Sequence, residues 1–221
     1  MKTKTSSYVA LTAFLLVSAL HIAGLLLNQN LAIYTKPALM ITLGFFYVVS
    51  VEKINPWVVG ALLFSFGGDV FLLDKNNYFV FGLGSFLVAH LCYIKLTSAM
   101  LSKMNPIEII LSSIPFVFVF FGLIGLLYKG LDKLLIPVSI YGLVISTFGA
   151  LTLAVYRNRK STEHLWLLLG ACLFILSDSL IALNKFYEPR EYYSLVIMIT
   201  YIMAQFLLTK AFIAKSPEKI Q

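Results

Sequence analysis

Apolar residues run through this chain in long blocks separated by short polar gaps. Eight blocks stand out, at about 8–27, 36–50, 57–73, 79–100, 107–127, 134–156, 165–184 and 192–211. They do not alternate apolar and polar residues, as the roughly 10-residue strands of a membrane barrel do. Most approach the ~20 residues that carry an α-helix across the hydrocarbon core. The predicted fold is all-α, a polytopic membrane protein with eight transmembrane helices forming one integral domain over 1–221. The gaps carry helix punctuation. Asn55-Pro56 and Asn105-Pro106 put a capping residue before a proline at the first helical position, and Thr35-Lys36-Pro37 resembles them. Ser161 can cap the seventh helix, and Pro189 precedes the eighth.

Composition excludes the competing classes. The 221 residues are 60% apolar and 12% charged, with a mean hydropathy of +0.90. Soluble chains average about 45–50% and 25%, and disordered chains depart in the opposite direction. Eight helices use about 160 residues, so the loops must be short and no room is left for a soluble domain. The net charge of +7 does not indicate nucleic acid, because the 17 Lys and Arg residues are scattered and form no run that could track a phosphate backbone. They instead set an orientation. With the N-terminus inside, eleven fall on the cytoplasmic side: Lys2, Lys4, Lys53, Lys95, Lys103, Arg157, Arg159, Lys160, Lys210, Lys215 and Lys219. Six fall opposite: Lys36, Lys75, Lys129, Lys133, Lys185 and Arg190. Both termini are therefore expected in the cytoplasm, and the short loops and plain tails suit a bacterial inner membrane. Met1-Lys-Thr-Lys4 resembles the start of a signal peptide, but the apolar stretch behind it is too long and lacks a cleavage site, so it reads as an uncleaved first span. Cys92 and Cys172 lie inside apolar blocks and read as small buried residues.

Ionisable groups inside a span cost at least ~2.5–3.5 kcal/mol at a helix centre. Asp69, His90 and Asp178 are the clear cases, with Lys36, His21, Lys95 and Gln205 weaker ones. At ~1.5 Å per residue, Asp69 lies about 6 Å and Asp178 about 9 Å from one face of the bilayer, His90 about 16 Å deep, and Lys36 at the mouth. The expectation is a polar pocket opening to the outer face. Ser65 and Asp69 share a helix face, as do Phe86, His90 and Tyr93, and Tyr201 and Gln205, while Ser177 adjoins Asp178. Gly67-Gly68 allows a close approach beside Asp69. A polar network that only fixes helix packing is the plain alternative. Leu63–Asp69 and Leu173–Asp178 each put an Asp late in a helix, 109 residues apart, so a parallel 4+4 internal repeat is possible. No nucleophile elbow, zinc-protease motif or phosphate-binding loop is present. Neither a metal nor another cofactor is expected. The three widely separated His make no standard metal set, although Asp69, His90 and Asp178 are one conceivable ligand trio and Ser65 or Ser177 with His90 a conceivable nucleophile pair.

At these residues the chain resembles the YhhN family of eight-span proteins, whose members include animal lysoplasmalogenases. The matching pieces are Thr35-Lys-Pro37, Phe64-Ser-Phe-Gly-Gly-Asp69, Gly84 through Ala89-His90-x-x-Tyr93, Gly170-Ala171 through Ser177-Asp178-x-x-Ile181-Ala182, and Tyr201-x-x-x-Gln205. The resemblance implies hydrolysis of the vinyl-ether bond of a lysophospholipid, releasing a fatty aldehyde and a glycerophospho-head group, with membrane lipid and water as the partners. Such chemistry needs an acid to protonate carbon, an anionic carboxylate for the resulting cation, and water; two embedded Asp residues can supply both roles. Asp178, the deeper, is expected to be the proton donor and Asp69 the stabiliser or water base, with His90 and Tyr93 orienting one of them. Ser65, Ser177, Tyr201 and Gln205 are expected around the substrate, and Lys36 at its phosphate. The competing function is a non-enzymatic carrier of a lipid or small molecule, with the Asp residues as proton carriers.

Overall fold

The computed structural model describes residues 4–101 and 105–216. Lys2, Lys103 and Lys219 lie outside the described residues, as does the Lys4 side chain. Among the described residues the regular structure is helical: α1 Lys4–Leu27, α2 Gln29–Ser50, α3 Pro56–Phe71, α4 Phe79–Ser98, α5 Pro106–Leu131, α6 Leu135–Asn158, α7 Thr162–Phe186 and α8 Tyr193–Ala214. A single 3₁₀ turn, Asp132–Leu134, joins α5 to α6. Six helical stretches are long and apolar enough to cross a membrane, and one of them, Pro106–Asn158, contains both α5 and α6. With 16 residues, α3 is shorter. These stretches mark an integral membrane protein.

The caps act largely where the punctuation predicts. Asn55 and Asn105 accept the N–H of Trp57 and Ile107, each at 3.0 Å, with proline at the first helical position. Ser161 accepts the N–H of His164 at 3.4 Å. Helix α2 departs from expectation by seven residues, starting at Gln29 rather than at position 36. Its cap is Asn28, whose Oδ1 accepts the N–H of Asn30 at 3.0 Å and of Leu31 at 3.4 Å, so Pro37 lies inside the helix. The missing N–H of Pro37 leaves the Ile33 carbonyl without its usual helical donor. A second correction concerns Cys172, which is exposed on the outside of the bundle while Cys92 is buried. A thiol among apolar neighbours can face lipid as readily as core.

Packing follows a ring. Sequential neighbours α1–α2, α2–α3 and α3–α4 touch, α4 then reaches α6, and α6–α7, α7–α8 and α8–α1 complete the circuit. Helix α5 stays outside, against α6 and α7. Leu39, Leu43, Phe148, Phe174, Leu167 and Leu208 fill the interior. Toward the end where α1 and α7 finish and α2 and α8 begin, that apolar interior gives way to polar groups.

Candidate functional site

A cavity of about 310 Å³ opens at that end, lined by parts of α1, α2, α3, α4, α7 and α8. Five of the nine residues expected at the site line it: Lys36, Asp69, Ser177, Asp178 and Tyr201. Asp69 is only 2% exposed. Its Oδ2 accepts from Tyr201 Oη at 2.8 Å, and the charge of Lys36 lies close enough to act on it. Asp178 lines the same cavity, within reach of the Asp69 charge. Ser177 donates to the Ile197 carbonyl at 3.1 Å, which ties α7 to α8 at the level of the acids.

Three more of the expected residues stand behind the cavity wall. Tyr93 Oη donates to Gln205 Oε1 at 2.7 Å. Gln205 Nε2 then donates to Ser65 Oγ at 2.9 Å and to Tyr201 Oη at 3.5 Å. One amide thus joins α3, α4 and α8, and the chain of bonds ends on Asp69. Such a network, fully satisfied and away from water, holds its members in one arrangement.

His90 stands apart from both carboxyls. Its Nδ1 meets the Phe86 carbonyl at 2.8 Å. A carbonyl can only accept, so Nδ1 carries hydrogen and, in the neutral ring, Nε2 is a bare acceptor. That Nε2 is buried without a hydrogen-bond partner. The ring sits among Phe174, Tyr141, Phe148 and Tyr93, with centroids 4.5, 5.7, 5.8 and 6.3 Å away. Among the described residues, no His, Cys, Asp and Glu side chains gather in a group of three suited to a metal ion.

Tyr141 and Lys75 escape the sequence reading as site residues, and His21, one of the weaker ionisable groups inside a span, joins Lys75 at the cavity. Tyr141 is 6% exposed and donates its hydroxyl to Asp178 Oδ2; within an apolar helix it is indistinguishable by sequence from a core aromatic. His21, buried in the cavity wall, meets Thr35 Oγ1 at 3.0 Å through Nδ1. Thr35 Oγ1 donates to the Leu31 carbonyl at 2.7 Å, so His21 Nδ1 is the donor to it and Nε2 is left without a partner. Lys75 lies at the cavity mouth, in the turn between α3 and α4. Asp74 fixes that turn by accepting the N–H groups of Asn76 and Asn77 at 3.2 Å each and Asn77 Nδ2 at 2.8 Å. The Asn77 bonds hold the Asp74 carboxyl below the ordinary carboxylate range. Partial desolvation, with the charges of Lys36 and Lys185 nearby, holds the Lys75 ammonium below the usual lysine value.

Gly67 and Gly68 serve helix packing. A Cβ on Gly68 would collide with the Phe86 ring, and one on Gly67 would come within 2.7 Å of Ser85 Oγ. Their absence lets α4 close on α3 directly beside Asp69. Phe86 in turn stands edge-on to Tyr201, with centroids 5.8 Å apart at 87°.

The sequence model of the YhhN family matches residues 31–212. Lysoplasmalogenase from Mycobacterium bovis is 33% identical over 163 residues, 71% of this chain and 60% of that protein's length. Human lysoplasmalogenase TMEM86B is 32% identical over 171 residues, covering 75% of this chain and 68% of the relative. Human lysoplasmalogenase TMEM86A is 35% identical over 157 residues, covering 66% and 61%. No solved structure matches the chain.

Proposed function

The chain belongs to the YhhN family, and on that premise we propose that it is a membrane hydrolase that cleaves the vinyl-ether bond of a lysophospholipid. The carrying observation is that Asp69 and Asp178 line one cavity within a helical membrane bundle, each held by a tyrosine hydroxyl. The names of the relatives supply the substrate class.

Protonated Asp178 delivers its proton to the outer vinyl carbon, and the carbon–carbon π pair forms the new C–H bond. The ether oxygen shares the resulting cation, which the Asp69 carboxylate stabilises. Water adds to the carbon bearing oxygen and gives its proton to a carboxylate. The hemiacetal collapses as a proton passes to the departing glycerol oxygen, leaving aldehyde and glycerophospho-head group, with one water consumed. Tyr141 holds Asp178 Oδ2 as an acceptor, which leaves Oδ1 to carry the proton. Tyr201, backed by Gln205, Ser65 and Tyr93, fixes Asp69. His90 packs against Tyr141 and Tyr93 and acts through them as a positioning residue. Ser177 keeps α7 against α8, and Lys36 and Lys75 meet the phosphate at the mouth.

The membrane arrangement is part of the same reading. All eight helices span, with both termini cytoplasmic in a bacterial inner membrane and the cavity open to the outer face. At ~1.5 Å per residue α3 is about 24 Å long, so the Asp74–Asn77 turn dips below the outer surface and leaves room for the cavity. The contact pattern supports a parallel 4+4 repeat, because α2 packs on α8 as α6 packs on α4, its expected counterpart.

The deciding experiment is aldehyde release from a 1-alkenyl lysophospholipid by purified protein in detergent. Release by wild type, abolished in Asp178→Asn, is the expected result. Transport of the lipid with no aldehyde formed would replace the hydrolase with a carrier.

A further inference from the structure

Asp178 also lines a second space beside the polar cavity. A narrow cleft of about 70 Å³ lies between α4, α5, α6 and α7. Leu83, Phe120, Ile124, Val138, Ile145 and Phe186 are among its walls. Its polar side chains are Tyr141, Ser146, Asp178 and Ser179. Two of their hydroxyls are already committed, Tyr141 to Asp178 and Ser179 to the Ile175 carbonyl at 2.7 Å. Walls of this kind suit a hydrocarbon and offer a polar ligand almost nothing.

The cleft and the polar cavity adjoin. Leu72, Phe86, Asp178 and Ile181 line both. Along α6 the cleft wall runs from Val138 to Ser146, about 12 Å at ~1.5 Å per residue. That path leads from the level of the acids toward the middle of the bundle. Val119 on the rim is 45% exposed, so the cleft reaches the lateral surface of the helix bundle.

We propose that this cleft receives the hydrocarbon chain of the substrate while the phosphate head remains in the polar cavity, so that the lipid bends past Asp178. The identity of the lipid rests on the hydrolase reading above; the cleft's occupant class rests on its apolar walls and on the residues it shares with the cavity. The placement also orders the two acids. In a vinyl ether the carbon that takes the proton lies on the tail side of the ether oxygen. Asp178, shared by the cleft and the cavity, meets that carbon. Asp69 lines only the polar cavity and meets the head-side end, where the cation forms and water arrives.

Two measurements test the placement. The first uses a non-hydrolysable 1-alkyl lysophospholipid with a diazirine at the chain end, irradiated with wild-type protein in nanodiscs and mapped by peptide mass spectrometry. Adducts at 119–124 and 142–146 are expected; adducts confined to α1, α2 and α8 would overturn the placement. The second compares Ser146→Leu and Ser146→Trp with wild type on long-chain and short-chain alkenyl lysolipids, after thermal unfolding has shown each variant folded. The ratio of long-chain to short-chain kcat/KM should fall by about tenfold or more, the scale at which an apolar pocket discriminates by a methylene. An unchanged ratio in both folded variants would also overturn it. If wild type releases no aldehyde from either lipid, the hydrolase reading fails, and the crosslinking result still decides what occupies the cleft.

Discussion

Each candidate acid receives one phenol hydrogen bond, Asp178 from Tyr141 and Asp69 from Tyr201, so neither carboxyl turns freely. Asp178→Asn and Asp69→Asn keep the shape and remove the proton or the charge. Each should lower kcat by ~10²–10⁴-fold, the usual contribution of a positioned acid or base. The double variant should be hardly slower than the worse single one, because residues acting as a unit are not additive; two active single variants would make the carboxyls structural. Tyr141→Phe removes a hydrogen bond to the protonated carboxyl of Asp178, worth about 0.5–1.5 kcal/mol or roughly 2–10-fold. That loss should fall on kcat with KM little changed, whereas a purely structural Tyr141 would show itself in thermal stability alone. Lys36→Met should raise KM for a phospholipid far more than it lowers kcat, and an unmoved KM would make Lys36 an interfacial anchor. The legibility of these residues follows their chemistry. Asp69, Asp178 and Gln205 announce themselves because a polar group inside a span is expensive. Tyr141 does not, since it hides as a core aromatic until the fold supplies Asp178, and His21 stands out only weakly until the fold supplies Thr35.

Helices were legible where apolar length and asparagine–proline punctuation coincide, as at Asn55-Pro56 and Asn105-Pro106. The start of α2 was not, because Thr35-Lys36-Pro37 imitates the same signal while the working cap, Asn28, has no proline beside it. Only that residue separates α1 from α2. The tight hairpin depends on Gly24, where a Cβ would stand 2.7 Å from the backbone nitrogen of Ala32. Backbone cannot move aside as a flexible side chain can. Gly24→Ala should therefore cost about 1–3 kcal/mol, the range of overpacked cores, and tilt the start of α2 with Lys36. A lowered melting temperature together with a raised KM is the expected signature. Full stability in Gly24→Ala would show that the hairpin can open at no cost.

In the proposed arrangement, eight alternating spans would bring both ends of the molecule to one face, opposite the polar cavity. A reporter fused after Gln221 should be active only in the cytoplasm, and periplasmic activity would invert the whole orientation. The ring itself was not legible, because apolar length marks a helix without naming its neighbours; that α5 sits outside while α4 reaches across to α6 emerges only from packing. The meeting of a wet cavity and an oily cleft at Asp178 carries a consequence for flux. In the proposed reaction the two products would differ in polarity, and each would be formed already facing the phase that dissolves it. The aldehyde would diffuse sideways into the bilayer and be diluted there, while the head group would be diluted in water. Rebinding for the reverse reaction would then require two molecules to return at once from separate phases, so separate exits would limit product inhibition while the free energy of hydrolysis itself drives cleavage.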